Sequence, residues 1–129
     1  MTSPAPDTSG SDRPIQQITW CDKKGVRVIS FVVKEMGINF DADRFEEELA
    51  QAIKGLASPK VILNMSDVSY VSSRPLGSLV GFHKRVWSAG GQIKISNIPD
   101  YVHETIRAAK LHRIFELYET EDEALDSLA

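Results

Sequence analysis

The most constraining feature of the chain is a short apolar segment that leads, through a serine-rich step, into a helical pattern. Residues 61–65 read Val-Ile-Leu-Asn-Met and follow a Ser-Pro pair. A mostly apolar run of this length between turn-forming residues is typical of a strand that is covered on both faces of a sheet. The sequence therefore predicts a central strand over residues 60–65.

Two serines, Ser72 and Ser73, separate this strand from a helix that the apolar spacing predicts over residues 74–89. The first N–H groups of a helix have no partner within it, and the helix dipole is positive there, so this position favours negative charge. A phosphate on either serine is compatible with it. Alternatively, Ser73 is only a helix cap that contributes about 1 kcal/mol. Pro75 suits the first helical turn, where its missing N–H costs little.

Strand and helix patterns alternate through the rest of the chain. The turn-forming residues 22–25 join two β-branched segments, which predicts a hairpin. Strands followed by helices with short connections indicate an α/β fold with right-handed crossovers between parallel strands, and the hairpin makes the sheet mixed. The further elements that the pattern predicts are a helix that Asp41 or Asp43 caps, a strand over residues 92–96, a helix over 99–109, a strand over 114–118 and a helix over 121–128.

Composition limits the domain organisation. The chain has 129 residues, of which 42% are hydrophobic and 26% are charged, and this suits one globular domain. Residues 1–14 are rich in Ser, Thr, Pro, Asp and Gly, a composition that buries too little apolar area to offset the entropy of ordering. We predict a disordered tail over residues 1–14 and a single domain over residues 15–129.

Charge and cysteine content argue against several classes of function. The formal net charge of -3 gives no broad positive field for nucleic acid or for an anionic membrane. No apolar run approaches the roughly 20 residues that cross a bilayer. Cys21 is the single cysteine and is expected to be a small buried residue, so nothing requires an oxidising compartment. We therefore expect a cytoplasmic protein whose partner is another protein.

The middle of the chain resembles a STAS domain, a family named for sulfate transporters and anti-sigma factor antagonists. In that family a buried strand ends in Asp or Asn, and the segment Asp-Ser-x-Gly-Leu-Gly, a helix, a Gly-Gly turn and another strand follow. Asn64 matches the strand end, Ser73 matches the phosphorylatable serine, and residues 76–77 and 90–91 match the Leu-Gly and Gly-Gly pairs. The resemblance implies a STAS-like fold with a central mixed sheet of four to five strands and about four α-helices.

Two positions differ from the family pattern, because Ser72 replaces its Asp and Pro75 replaces its first Gly. The resemblance still implies an anti-sigma factor antagonist. Such a protein binds an anti-sigma factor that is also a serine kinase while Ser73 is unmodified, and releases it after phosphorylation of Ser73 or, alternatively, Ser72. ATP belongs to the kinase, a separate phosphatase restores binding, and the antagonist carries no cofactor or metal of its own. The two departures leave open a STAS scaffold that acts in a signalling or transport assembly without phosphorylation.

The resemblance also implies a docking surface around the end of the central strand and the start of the next helix. Its expected residues are Ser66, Asp67, Ser69, Tyr70, Ser72, Ser73, Arg74, Leu76 and Ser78. In this surface Arg74 either pairs with a phosphate or is simply solvated. Asn64 is expected to hydrogen-bond its own loop, and Trp20 and Trp87 are expected to be core or edge anchors.

A small hydrolase with Ser73 as its nucleophile is the competing class, because strand-to-helix turns expose serine in other α/β folds. A nucleophilic serine needs a positioned base and a group that orients the base. The Gly-x-Ser-x-Gly elbow is absent from the sequence, and none of His83, His103 and His112 has the spacing of a metal ligand or an assignable base. The sequence therefore predicts a binding module and not an enzyme.

Overall fold

The computed structural model describes residues 16–37 and 39–129. The predicted tail over residues 1–14 lies outside them. The strands are β1 (Ile18–Lys23), β2 (Val26–Phe31), β3 (Glu35–Met36), β4 (Lys60–Asn64), β5 (Tyr70–Val71), β6 (Gln92–Ser96) and β7 (Glu116–Tyr118). The helices are α1 (Ala42–Ala52), α2 (Ser73–Ser88), α3 (Asp100–Ala108) and α4 (Glu121–Ser127), with a 3₁₀ turn at Leu111–Arg113.

The main sheet has five strands in the order β1-β2-β4-β6-β7. Only the β1–β2 pair is antiparallel, and it forms the predicted hairpin. Its two turn residues, Lys24 and Gly25, have φ angles of 54° and 78°, which match the twist of a hairpin turn. The central position of β4 and the fold class, a mixed sheet with four α-helices among the described residues, are confirmed.

The sheet is covered on both faces, but unequally. Helices α1, α2 and α3 bury Phe45, Leu79 and Ile106 against one face, in the larger of two apolar clusters. Leu125 of α4 and Leu128, the residue that ends this helix, are buried against the other face, on β2 and β4. Because β4 lies between the two layers, its residues Val61, Ile62 and Leu63 are fully buried, which explains their continuous apolar sequence.

The sequence pattern misses a small second sheet, in which β3 and β5 pair in parallel. Strands of two residues have no periodicity that a pattern can reveal. This sheet nevertheless fixes the segment before α2, because the N–H of Ser69 donates to the carbonyl of Lys34 at 2.8 Å and the N–H of Ser72 donates to that of Met36 at 2.9 Å. Backbone hydrogen bonds to residues 34–36 therefore hold the segment that leads into α2.

The predicted burial of Cys21 is wrong, and so is the alternative in which Trp20 and Trp87 are core residues. Trp87 is 59% exposed, Trp20 is 39% exposed, and Cys21 is exposed as well. Trp87 lies in the last turn of α2, and Trp20 and Cys21 lie on the outer strand of the sheet. An outer strand and a helix end have neighbours on fewer sides, so apolar residues there are less covered than the same residues in the middle of the sheet.

Candidate functional site

Asn64, at the end of β4, organises the loop that leads to the two serines. Its Oδ1 accepts the backbone N–H of Ser66 at 3.0 Å, as the sequence predicts for a loop-stabilising Asn. Its Nδ2 donates to the carboxylate of Glu121 on α4 at 2.9 Å. Glu121 also binds Lys23, and the hydrogen bonds from Lys23 and then Asn64 hold the pKa of Glu121 below its ordinary value. The two hydrogen bonds of Asn64 therefore hold the start of the loop in place.

The loop after Asn64 has buried anchors and an exposed outer side. Val68 and Val71 belong to the apolar core beneath it. Four of the predicted docking residues are exposed on its outer side: Ser66, Asp67, Ser69 and Tyr70. The anchors and the β3–β5 sheet hold the backbone beneath these exposed side chains.

The start of α2 places the two serines in different environments. Ser72 is the N-cap residue in an extended conformation (φ -92°, ψ -179°), and its side chain makes no capping hydrogen bond. Ser73 is the first helical residue and is exposed. The alternative in which Ser73 is the helix cap is therefore wrong. Pro75 lies in the first turn as predicted, and its ring is buried.

Arg74 lies beside Ser73 and points into solvent. Its guanidinium Nη2 is 3.2 Å from Asp43 Oδ1 on α1, and the side chains are 68% and 88% exposed. An ion pair this exposed contributes little to stability and is readily exchanged. The first helical N–H groups and this arginine both favour an anionic group on the neighbouring hydroxyl.

Two of the predicted docking residues are buried. Leu76 is 4% exposed and belongs to the main core. Ser78 is 5% exposed, and its hydroxyl donates to Glu46 Oε2 on α1 at 2.6 Å. Both point inward because α2 packs this side against α1 and the sheet. The candidate surface therefore excludes Leu76 and Ser78.

Tyr101, in the first turn of α3, also lies beside this surface, although no sequence motif marks it. Its ring stacks on that of Tyr70, with centroids 6.2 Å apart and an interplanar angle of 26°. Both rings remain open to solvent, at 56% for Tyr101 and 40% for Tyr70. No local pattern reveals this contact, because it depends on α3 and β5 meeting at the carboxyl end of the sheet.

Of the three histidines, His83 has surroundings that indicate a structural role. His83 packs edge to face on Phe115 and is stacked with Trp87, and burial lowers the pKa of its imidazole. Within residues 16–37 and 39–129, no three His, Cys, Asp or Glu side chains are grouped so that they could hold a metal ion. No helix in the same part of the chain has both the length and the apolar character needed to cross a membrane.

Comparison with known proteins identifies the family to which the fold belongs. The family model of the STAS domain matches residues 38–124. The chain belongs to the STAS domain family. It is similar to a Thermotoga neapolitana protein named "Putative anti-sigma factor antagonist TM1081 homolog", with 30% identity over 101 residues that cover 78% of this chain and 88% of the relative.

Solved structures show that the fold occurs in more than one setting. An anti-sigma-factor antagonist (STAS) domain protein from Planctomyces limnophilus superposes with a TM-score of 0.77 and 23% identity, over 87% of this chain and 97% of that one. The murine anion transporter Slc26a9 superposes with a TM-score of 0.66 and 19% identity, over 78% of this chain and 17% of the transporter. These two structural similarities establish the fold and do not identify the biological role.

Proposed function

We propose that this chain is an anti-sigma factor antagonist, a binding module of the cytoplasm that regulates transcription by docking on an anti-sigma factor with serine kinase activity. The exposed hydroxyl of Ser73 at the start of α2 is the observation that carries the proposal. The family membership and the name of the Thermotoga relative support it. The docking surface consists of Ser66, Asp67, Ser69, Tyr70, Ser72, Ser73 and Arg74, extended by Tyr101.

Phosphorylation of Ser73 would switch this surface without unfolding it. A phosphoserine adds about -1.5 to -2 charges and three acceptor oxygens, and the start of α2 tolerates them because of its free N–H groups and its dipole. A partner that covers Ser73 has to remove water from those charges, and the desolvation of an unpaired charge is costly. The unmodified chain therefore binds, and the phosphorylated chain is released until a phosphatase removes the group.

A binding role fits the surroundings of Ser73 better than hydrolysis does. A serine nucleophile needs a base within hydrogen-bond reach. His83 is ten residues further along the same helix, which places it about 15 Å away, and its ring is packed on Phe115. We assign to Ser73 the role of a phosphate acceptor, with ATP and the catalytic groups supplied by the kinase.

The test is phosphorylation with a candidate kinase and ATP, site mapping by mass spectrometry, and binding of variants. We expect phosphate on Ser73, native affinity for Ser73→Ala, and at least about tenfold weaker binding for Ser73→Asp, which equals about 1.4 kcal/mol. Ser88→Asp adds the same charge to an exposed residue at the other end of α2 and is the control. Phosphate on Ser72 alone would show that Ser72, and not Ser73, is the phosphorylation site. Equal affinity of the two Ser73 variants would rule out a phosphorylation switch at Ser73 and would favour the alternative, a STAS scaffold that acts without phosphorylation.

The aromatic pair gives a second test of the same surface. Exposed aromatic residues often carry a large share of binding energy, so Tyr101→Ala should weaken binding of the partner by about 1–2 kcal/mol. Trp87→Ala removes an equally exposed aromatic side chain from the far end of α2 and should leave affinity unchanged. If the two variants bind alike, α3 lies outside the docking surface.

A further inference from the structure

Among the residues that the structure describes, β2 is the only strand paired with β1, and the outer edge of β1 faces no other strand. Every residue of β1 after Ile18 is exposed. The ladder closes at the pair Lys23–Val26, and Val32 N–H donates to the carbonyl of Gln17 at 2.9 Å. Hydrogen-bonded pairs alternate along an antiparallel ladder, so the odd-numbered residues of β1 bind β2. The backbone groups of Ile18, Trp20 and Asp22 therefore point away from the sheet.

One end of this edge is already occupied. The carboxylate of Glu48 on α1 accepts the N–H of Ile18 at 3.0 Å and that of Gln17 at 2.9 Å. Among residues 16–37 and 39–129, no backbone or side-chain group binds the outward N–H and C=O groups of Trp20 and Asp22. An unpaired edge of this kind is a template for another strand.

We propose that the β1 edge pairs with the same edge of a second copy of this chain, antiparallel about a two-fold axis at Cys21. In this register Trp20 of each copy lies opposite Asp22 of the other, and each pair exchanges both backbone hydrogen bonds. No described residue of the single chain binds any of the backbone groups used. The five-stranded sheet of each copy then continues into its partner.

Other symmetric registers are less favourable. An axis at Trp20 would pair Ile18 with Asp22 and would require the Ile18 N–H that Glu48 holds. An axis at Asp22 would place the two Asp22 residues directly opposite each other, and like charges in that position are destabilising. The axis at Cys21 avoids both costs and brings no like charges into opposition.

The same register accounts for the exposed Trp20. With Trp20 opposite Asp22 of the other copy, the two Trp20 side chains are diagonal neighbours on one face of the joined sheet, a separation that aromatic rings can bridge. The guanidinium of Arg27 lies 5.7 Å from the Trp20 ring and forms an ion pair with Asp22. Trp20, Arg27 and Asp22 of both copies thus form one continuous patch across the axis.

The test begins with the mass of the full chain in solution, measured by light scattering across a concentration series. We expect a dimer for the native chain. Cys21→Glu and Cys21→Lys each place like charges opposite themselves at the axis, so each should be a monomer, and an equimolar mixture of the two should recover the dimer. Glu119→Lys, beyond the opposite edge strand, is the control and should remain dimeric.

Cys21 also allows a direct check of the register. Residues opposite each other at a non-hydrogen-bonded position have Cα atoms about 4.5 Å apart, within the range that a disulfide spans. Diamide, which takes up the two hydrogen atoms released, should link native dimers and leave Cys21→Ser unlinked. A monomeric native chain, a dimer that resists linking, or a charge-variant mixture that stays monomeric would each overturn the proposal. None of these outcomes bears on the kinase partner.

Discussion

Asn64 connects two parts of the molecule that are far apart in sequence. Its amide oxygen binds the loop that leads to Ser73, and its amide nitrogen binds Glu121 on the helix that covers the opposite face of the sheet. A single side chain with one acceptor and one donor thus joins the candidate docking loop to α4. An ionised aspartate can accept the hydrogen bond from the loop but cannot donate one to Glu121. The substitution Asn64→Asp therefore tests the contact with Glu121.

We predict that Asn64→Asp lowers the free energy of unfolding by about 1–3 kcal/mol at neutral pH, because a lost hydrogen bond is replaced by two carboxylates in contact. Urea denaturation measures the change. Adding Glu121→Gln restores a donor opposite the introduced carboxylate, so the double variant should recover most of the loss. An additive double variant would show that the Asn64–Glu121 contact contributes nothing.

Among the secondary-structure elements, two glycines differ in whether a side chain could be added. Gly81 lies inside α2, and a Cβ built there meets nothing within 4 Å. Gly91 opens the turn into β6, and a Cβ there would collide with the carbonyl oxygen and ring of Pro59. The glycine of the helix is thus dispensable for packing, whereas that of the turn permits a close approach of two chain segments.

Gly81→Ala should therefore stabilise the chain by about 0.5–1 kcal/mol, because alanine has the better helix propensity and fills open space. Gly91→Ala, the matched control, should destabilise it by about 1–3 kcal/mol through overpacking. Thermal unfolding of both variants measures the difference. A loss of stability in Gly81→Ala would mean that α1 and α2 approach more closely than the structure shows.

The elements also show how far the sequence determines the fold. The central strand, the hairpin turn and, to within one residue, the start of α2 follow from local patterns, because apolar runs and turn residues act over a few neighbours. The β3–β5 pair and the stacking of Tyr101 on Tyr70 depend on contacts between distant segments. The inward direction of Leu76 and Ser78 depends on which side of α2 meets α1, and a short motif does not specify this.

For the molecule as a whole, the free energy of unfolding should depend on pH because Glu121 has a lowered pKa in the folded chain. Its pKa is lower in the folded chain than the ordinary 4.5, so the folded state binds fewer protons than the unfolded state in this range. Its stabilising contribution is complete above that value and is lost as the pH falls through the folded pKa.

We predict that the free energy of unfolding decreases as the pH falls below 4.5, and that Glu121→Gln makes the decrease shallower. Denaturant titrations at a series of pH values provide the measurement. Glu47→Gln removes an exposed carboxylate of α1 that makes no hydrogen bond or ion pair with the described residues, and serves as the control. Identical slopes for the native chain and Glu121→Gln would contradict the assignment.

We propose that negative charge on the exposed hydroxyl of Ser73, at the start of α2, controls docking of the kinase partner. The most direct measurement compares the affinity of the fully phosphorylated chain and the unmodified chain for the same kinase partner, by titration calorimetry without ATP. We predict that the unmodified chain binds at least about tenfold more tightly. Equal affinity, or tighter binding of the phosphorylated chain, would show that charge on Ser73 does not release the partner.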